Sequence, residues 1–134
     1  MSTHPPIELP DPRPTVAEVD GLTRLKGYTC TKCGYPLAVA GPWCPVCQSE
    51  LEARDYGPQG RVWSSTVFRV PLSERRPPWV LVWVDLIDGP RILALVQGGT
   101  ERLPIGTLVE LVGTSEYGDP LVGLDEDAPE GAVR

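Results

Sequence analysis

The sequence predicts a mostly β protein, in which a small metal-binding ribbon is followed by a five-stranded barrel. Two observations support this fold class: two Cys-x2-Cys motifs in the first half and a series of apolar, β-branched segments in the second half. A chain of 134 residues suits one domain or two very small ones. The predicted organisation is a flexible N-terminal arm at 1–21, the ribbon at 22–54, the barrel at 60–124 and a disordered acidic tail at 125–134.

The four cysteines are the whole cysteine complement and are spaced Cys30-x2-Cys33-x10-Cys44-x2-Cys47. Two residues between thiols allow both sulfurs of a pair to turn toward one ion. Gly34 can adopt the positive φ that such a tight turn needs. Two such knuckles place four thiolates in a tetrahedron, which is how structural zinc is held. Because a closed four-thiolate shell leaves no open coordination position, we expect the ion to stabilise the fold and to activate no water.

Two disulfides or an iron site are the alternatives to zinc. Residues 1–10 show no basic segment followed by an apolar run, as a secretory signal would, and no apolar stretch is long enough to span a bilayer. We therefore expect a cytoplasmic protein, in which disulfides are rare. The segments 28–35 and 43–47 resemble the knuckles of rubredoxin, which holds iron. Rubredoxin, however, has a longer insert between its knuckles and usually a glycine at the position of Gln48.

The segments around the ribbon have distinct compositions. Prolines are concentrated in the first fourteen residues, which excludes a helix or central strand there. The last ten residues are acidic and nearly free of large apolar side chains, which is typical of disorder. Residues 15–26 have a weak helical pattern interrupted by Gly21 and predict a short helical turn. Residues 51–59 are interpreted as a linker.

The second half predicts five strands, at 61–70, 79–87, 91–97, 107–114 and 121–124. In the first of them, alternation places Val62, Phe68 and Val70 on one face and Trp63 and Val67 on the other.

Turn residues divide these strands. Asp88-Gly89-Pro90 predicts a hairpin turn between the second and third strands. Five short strands without a long helix favour a small closed barrel, because closure removes exposed edges. The OB-fold is the common five-stranded barrel of this size. Its helix between strands three and four would have to be a turn or absent here, since few residues separate Gln97 from Thr107.

Four segments, at 30–47, 60–67, 88–93 and 105–110, carry a resemblance to the zinc-ribbon/OB-fold proteins associated with acyl-CoA enzymes. The resemblance spans about residues 22–124. Members of this family are usually partners of thiolase-like enzymes: thiolases, sterol-carrier-type aldolases, hydroxymethylglutaryl-CoA synthases and phloroglucinol-type acyltransferases.

The resemblance implies a non-catalytic accessory subunit that docks on a thiolase-type acyl-CoA enzyme and helps to form or shield its acyl-CoA site. A dimeric partner would give a two-plus-two heterotetramer by symmetry, with acyl-CoA at the interface. The sequence departs from the family pattern in two places. The lead helix is poorly formed at 15–26, and an acidic tail replaces an aromatic, proline-containing end.

The residues themselves argue against catalysis by this chain alone. Thiolase chemistry needs a cysteine nucleophile and a base, typically histidine. All four cysteines are assigned to the metal, and the sole histidine, His4, lies among prolines. No phosphate-binding glycine loop is present. Asp85, Asp88 and Glu110 are interpreted as solvated strand and turn residues, with a carboxylate pair as the open alternative. The prediction is therefore that no residue is catalytic.

A stand-alone zinc-ribbon/OB module that binds nucleic acid or another protein is the alternative function. Nucleic-acid binding depends on lysine and arginine neutralising phosphates. Residues 60–124 contain no lysine, and their aromatic side chains are not interleaved with basic ones. We expect neither nucleic acid nor a membrane among the partners.

Four residues are predicted to contact the partner enzyme or CoA: Arg75, Arg76, Trp79 and Trp63. The first three belong to the proline-stiffened loop 71–79, and arginine pairs well with phosphate oxygens. An ordinary exposed polar loop is the alternative for the arginines, and core packing is the alternative for the tryptophans.

Overall fold

The computed structural model describes residues 12–71 and 75–125. The predicted acidic tail, apart from Asp125, and residues 1–11 of the predicted arm lie outside the described residues. The described part of the chain consists of strands and loops, and it contains no helix with the length and apolar character needed to cross a membrane. The strands are β1 (Val16–Val19), β2 (Leu22–Cys30), β3 (Pro36–Leu37), β4 (Leu51–Tyr56), β5 (Gln59–Phe68), β6 (Trp79–Leu86), β7 (Arg91–Val96), β8 (Leu108–Thr114) and β9 (Pro120–Leu124).

The first two strands form an antiparallel hairpin, so the prediction of a helical turn at 15–26 is wrong. Asp20 and Gly21 have φ angles of 53° and 81°. Two consecutive positive φ angles reverse the chain in a two-residue turn of the kind that Asp-Gly favours. Val16 then lies opposite Leu25. The sheet includes β1, which falls within the span predicted as a flexible arm.

β4 completes the ribbon sheet by pairing with β2, from Cys30 opposite Leu51 to Leu25 opposite Tyr56. The interpretation of 51–59 as a linker is therefore wrong except for residues 57–58, because β4 covers Leu51–Tyr56 and β5 begins at Gln59. Tyr56 is buried, and its hydroxyl donates a hydrogen bond of 2.9 Å to the carbonyl of Tyr28. Gly27 makes room for it, because a Cβ at that position would lie 2.9 Å from the Tyr56 ring. The predicted domain boundaries themselves stay a prediction.

The other five strands form a closed barrel in the order β5-β6-β7-β9-β8, which confirms the predicted architecture. All pairs are antiparallel except β7 with β9. The hairpin at Asp88-Gly89-Pro90 joins β6 to β7, and the segment between β7 and β8 contains no helix. The barrel interior is filled mainly by valine, with side chains from every strand: Val62, Val80, Val82, Val84, Ile92, Ala94, Val96, Val109, Leu111 and Val122.

A β-bulge in β5 overturns the predicted alternation of that strand. Val62 lies opposite Val84, but Ser64 is the next residue to pair, so Trp63 is the extra residue. The bulge shifts the alternation by one residue. Val62 and Val67, which were predicted on opposite faces, therefore both pack against the core. Trp63 points outward and is 49% exposed.

The ribbon and the barrel share one hydrophobic core. Leu25 of β2 and Tyr56 of β4 belong to the same buried cluster as the barrel valines. The short connection after β4 is also tied to the barrel, since the Leu111 N–H donates a 2.7 Å hydrogen bond to the Pro58 carbonyl. The Arg24 guanidinium donates to the Gly57 carbonyl at 2.8 Å. The two modules are therefore packed as one body in the described residues.

Candidate functional site

The first cysteine knuckle is a tight turn closed by two backbone hydrogen bonds. The N–H of Gly34 donates to the carbonyl of Cys30 at 3.1 Å, and the N–H of Cys30 donates to the carbonyl of Tyr35 at 3.0 Å. Gly34 has a φ of 77°, as expected from the sequence. This turn brings the sulfur of Cys33 back over that of Cys30.

The second knuckle repeats this bonding with different residues. The N–H of Gln48 donates to the carbonyl of Cys44 at 2.9 Å, and the N–H of Cys44 donates to the carbonyl of Ser49 at 2.9 Å. Gln48 has a φ of 63°, so a non-glycine residue occupies the left-handed position here. The two knuckles thus present their thiols with the same local geometry.

The four sulfurs converge, with all ligand atoms within 4.8 Å of one another. The sulfurs of Cys30 and Cys47 are 3.3 Å apart, and those of Cys33 and Cys44 are 3.6 Å apart. A tetrahedral zinc with Zn–S bonds of about 2.3 Å has sulfurs about 3.8 Å apart. The spacing of the thiols therefore fits a single four-coordinate ion, and the closed shell would make that ion structural.

Backbone N–H groups add to the site by pointing at the sulfurs. Those of Lys32 and Cys33 lie 3.4 Å from the Cys30 sulfur, and that of Val46 lies 3.4 Å from the Cys44 sulfur. Such donors favour thiolate over thiol, because they stabilise negative charge on sulfur. Cys30 and Cys44 are buried, whereas Cys33 and Cys47 reach the surface.

The pKa values of these thiols are shifted in opposite directions. The Cys33 N–H lowers the pKa of Cys30, and hydrogen bonds from the side chain and backbone of Ser49 lower the pKa of Cys47 to about 6. The N–H of Tyr35 lowers the pKa of Cys33, but burial and the adjacent thiols outweigh it and raise that pKa to about 12. Four thiols this close cannot all ionise unless a cation lies among them, which is what a metal supplies.

Three of the predicted contact residues, Arg75, Arg76 and Trp79, come together. They line a cavity of about 350 Å³ whose other walls are Leu95, Glu116 and Tyr117. Arg76 is exposed. Trp79 is buried and stacks on Phe68 with ring centroids 4.2 Å apart, and its indole N–H has no hydrogen-bond partner within the described residues.

Arg75 is held by several groups at once. Its guanidinium lies between two rings, 4.9 Å from the centroid of Trp79 and 4.6 Å from that of Tyr117. It also forms a 2.8 Å ion pair with Asp119. Arg13 reaches the same carboxylate at 3.4 Å and donates to the Tyr117 carbonyl. The sequence prediction leaves Asp119 between the fourth and fifth strands without a role, because no local pattern reports that it meets arginines far away in the chain.

Trp63 is not among the residues that line this cavity. Its ring lies under Arg91, whose Cζ is 3.8 Å from the ring centroid. Arg91 in turn donates to both carboxylate oxygens of Asp85, at 2.6 and 3.1 Å. Hydrogen bonding to Asp85 raises the pKa of Arg91, which keeps the guanidinium over the Trp63 ring charged. Asp85 is thus an ion-pair partner on the barrel surface.

Comparison with known proteins identifies the family. A family model described as the ChsH2 C-terminal OB-fold domain matches residues 53–114. The benzoylsuccinyl-CoA thiolase subunit BbsA of Geobacter metallireducens is 31% identical over 102 residues, which are 73% of this chain and 69% of that protein. The chain belongs to the ChsH2/BbsA family.

Two further members of the ChsH2/BbsA family support this. The benzoylsuccinyl-CoA thiolase subunit BbsA of Thauera aromatica is 28% identical over 137 residues and covers 91% of this chain and 95% of its own length. A solved chain of the Ltp2-ChsH2(DUF35) aldolase superposes with a TM-score of 0.63 and 25% identity, over 75% of this chain and 84% of that one. The resemblance drawn from the sequence is therefore confirmed, and both BbsA relatives are named as subunits of a thiolase.

Proposed function

We propose that this chain is a non-catalytic accessory subunit of a thiolase-type acyl-CoA enzyme: a thiolase, an aldolase or an acyltransferase. The observation that carries the proposal is the convergence of all four cysteines in one cluster. With its sulfurs bound to one ion, the chain has no thiol to offer as a nucleophile. The names of its relatives support the same role, since they are subunits of a thiolase and of an aldolase.

The accessory role consists in docking on the enzyme and helping to form or shield its acyl-CoA site. Arg75, Arg76, Trp79 and Trp63 are the proposed contacts with the partner or with CoA. Arg76 is exposed at the rim of the 350 Å³ cavity, where a phosphate could reach it. The unpartnered indole N–H of Trp79 is a donor that an acceptor on a partner or ligand could satisfy.

The ion at the cysteine cluster is proposed to be zinc. Four-thiolate shells hold structural zinc, and the chemistry of this donor set also suits iron. Metal analysis of the purified protein separates them: one equivalent of zinc and a colourless solution are expected. One equivalent of iron with visible absorption would contradict the assignment. Thiols kept reduced for metal binding also support a cytoplasmic location.

Co-expression with a thiolase-type protein from the same genome tests the subunit role. With an affinity tag on this chain, we expect the partner to co-elute in equal amounts, and light scattering to give the mass of a two-plus-two heterotetramer. A chain that elutes alone, beside a partner that remains soluble and folded, would contradict the proposal. Binding to DNA or RNA at low salt would instead support the alternative of a nucleic-acid module.

A further inference from the structure

The outer side of the β6–β7 hairpin is apolar. Its inward side chains fill the barrel, and the outward ones pair across the two strands, Leu81 with Leu95 and Trp83 with Leu93. Trp83 is 41% and Leu93 38% exposed, so no part of the described chain covers them fully. We define these four residues, together with Trp63, as the β6–β7 outer face.

The Trp63 end of this face is pre-organised. The β5 bulge directs Trp63 outward, the Arg91 guanidinium packs on its ring, and Asp85 holds that guanidinium through two hydrogen bonds. β-Bulges commonly re-aim a side chain in this way. Because the stack is already fixed in the free chain, binding through it would lose little side-chain entropy.

The charged side chains on this face indicate whether it suits a nucleic acid or a protein. Its one arginine, Arg91, is paired with Asp85, and the strands contribute no lysine. A nucleic acid requires unpaired cations for its phosphates, and this surface offers none at its centre. Tryptophan and arginine are instead enriched, and lysine is depleted, at the centre of protein interfaces.

We infer that the β6–β7 outer face is the surface that docks on the thiolase-type subunit, against an uncharged apolar patch of that subunit. This inference rests on the proposed accessory function and adds to it the surface used. A neutral, rigid face rich in tryptophan is complementary to a neutral apolar surface and not to an anionic ligand. Trp83 and Leu93, at the centre, form the anchor, and the Trp63–Arg91–Asp85 stack forms its edge.

Paired substitutions on two sides of the barrel test this surface. Trp83→Glu and Leu93→Glu each place a charge at the centre of the face, and Val112→Glu is the matched control. Val112 lies on β8 and, like Leu93, is 38% exposed. We expect the dissociation constant for the thiolase-type subunit to rise by about 100-fold or more for the first two variants and to change by less than about 3-fold for the control.

Hydrogen exchange in the wild-type chain gives a second readout that needs no folded variant. The amides of β6 and β7 should gain protection when the partner binds, beyond any change in β8. One contrary outcome is that the complex forms while Trp83→Glu and Leu93→Glu bind the partner as tightly as Val112→Glu, and while β6 and β7 gain no more protection than β8. In that case the docking surface is wrong and the accessory role stands. If the wild type forms no complex, both fail. If the chain alone dimerises and Trp83→Glu makes it monomeric, the face binds a second copy and the inference is overturned.

Discussion

Gln48 closes the second knuckle with a φ of 63°, where the first knuckle has Gly34 at 77°. A residue with a Cβ is destabilised by roughly 1–2 kcal/mol in the left-handed region, and glycine avoids this strain. Glycine also loses more backbone entropy on folding, which offsets part of the stabilisation. Gln48→Gly should therefore stabilise the metal-bound protein by about 0.5–1 kcal/mol. Urea unfolding at a fixed excess of zinc measures this.

Gln48→Ala is the matched control for that prediction, because alanine shortens the side chain but keeps the Cβ. It should leave the unfolding midpoint nearly unchanged. A loss of stability in Gln48→Gly would mean that the glutamine side chain, and not its backbone angle, matters at this position.

Arg75 is the most constrained arginine of the loop before β6. It is sandwiched between the rings of Trp79 and Tyr117 and paired with Asp119, with 19% of its side chain exposed. Arg75→Ala should lower the free energy of unfolding by about 2 kcal/mol, since it removes two cation–π contacts and a partly buried ion pair. Arg76→Ala, at the exposed neighbour, should change it by less than about 0.5 kcal/mol. Equal effects of the two substitutions in thermal or urea unfolding would contradict this account.

The two ends of the ribbon are held differently. At the knuckle end, backbone hydrogen bonds and the pairing of β2 with β4 hold the chain, and a bound ion would add to them. At the other end, Leu25 and Tyr56 are anchored in the shared core. Removal of the ion with a strong chelator should therefore expose the amides of β3 and of the knuckle end of β2 to rapid exchange, while β5–β9 stay protected.

Hydrogen exchange with and without chelator, read strand by strand, measures this difference, and Cys30→Ser should reproduce it without a chelator. Simultaneous loss of protection in β6 and β7 would show that the barrel cannot fold without the ribbon's ion. Unchanged protection throughout would show that the ion contributes nothing to the fold.

At the scale of the strands and turns, the sequence predicts best those elements whose signals lie within a few neighbouring residues. The knuckles were predicted because two residues between cysteines and a following Gly34 act within one turn. The barrel strands were predicted because β-branched runs end at turn residues such as Asp88-Gly89. The β1–β2 hairpin had a local signal too, Asp20-Gly21, which a weak helical pattern obscured.

The other differences arise from contacts that distant residues make. Nothing in the sequence around Trp63 marks the bulge, which is set by the register of β5 against β6. Likewise β4 pairs with β2 across the intervening cysteine knuckles, a long-range contact that no local pattern reports. Of the predicted contacts, the sequence grouped Arg75, Arg76 and Trp79 by proximity in the chain. It could not show that Asp119 neutralises Arg75 from another loop.

At the scale of the whole molecule, the shared core makes the ribbon and the barrel one rigid platform. β1 and β2 pack against β8, whereas Trp83 and Leu93, at the centre of the β6–β7 outer face, lie on strands that do not pair with β8. The ribbon borders the Arg91 end of that face, since ribbon residues 35–39 line one cavity together with Gly89, Pro90 and Arg91. A platform of this kind can position a partner's active-site segments without contributing a nucleophile of its own.

Turnover in a reconstituted mixture tests the accessory role most directly. CoA-dependent cleavage of a β-ketoacyl-CoA is measured while this chain is titrated into a fixed amount of its thiolase-type partner. The account predicts no turnover by this chain alone, and activity of the mixture that rises until one chain is present per partner subunit and then stays constant. Thioester cleavage by the isolated chain, or partner activity that is indifferent to the chain at every ratio, would contradict it.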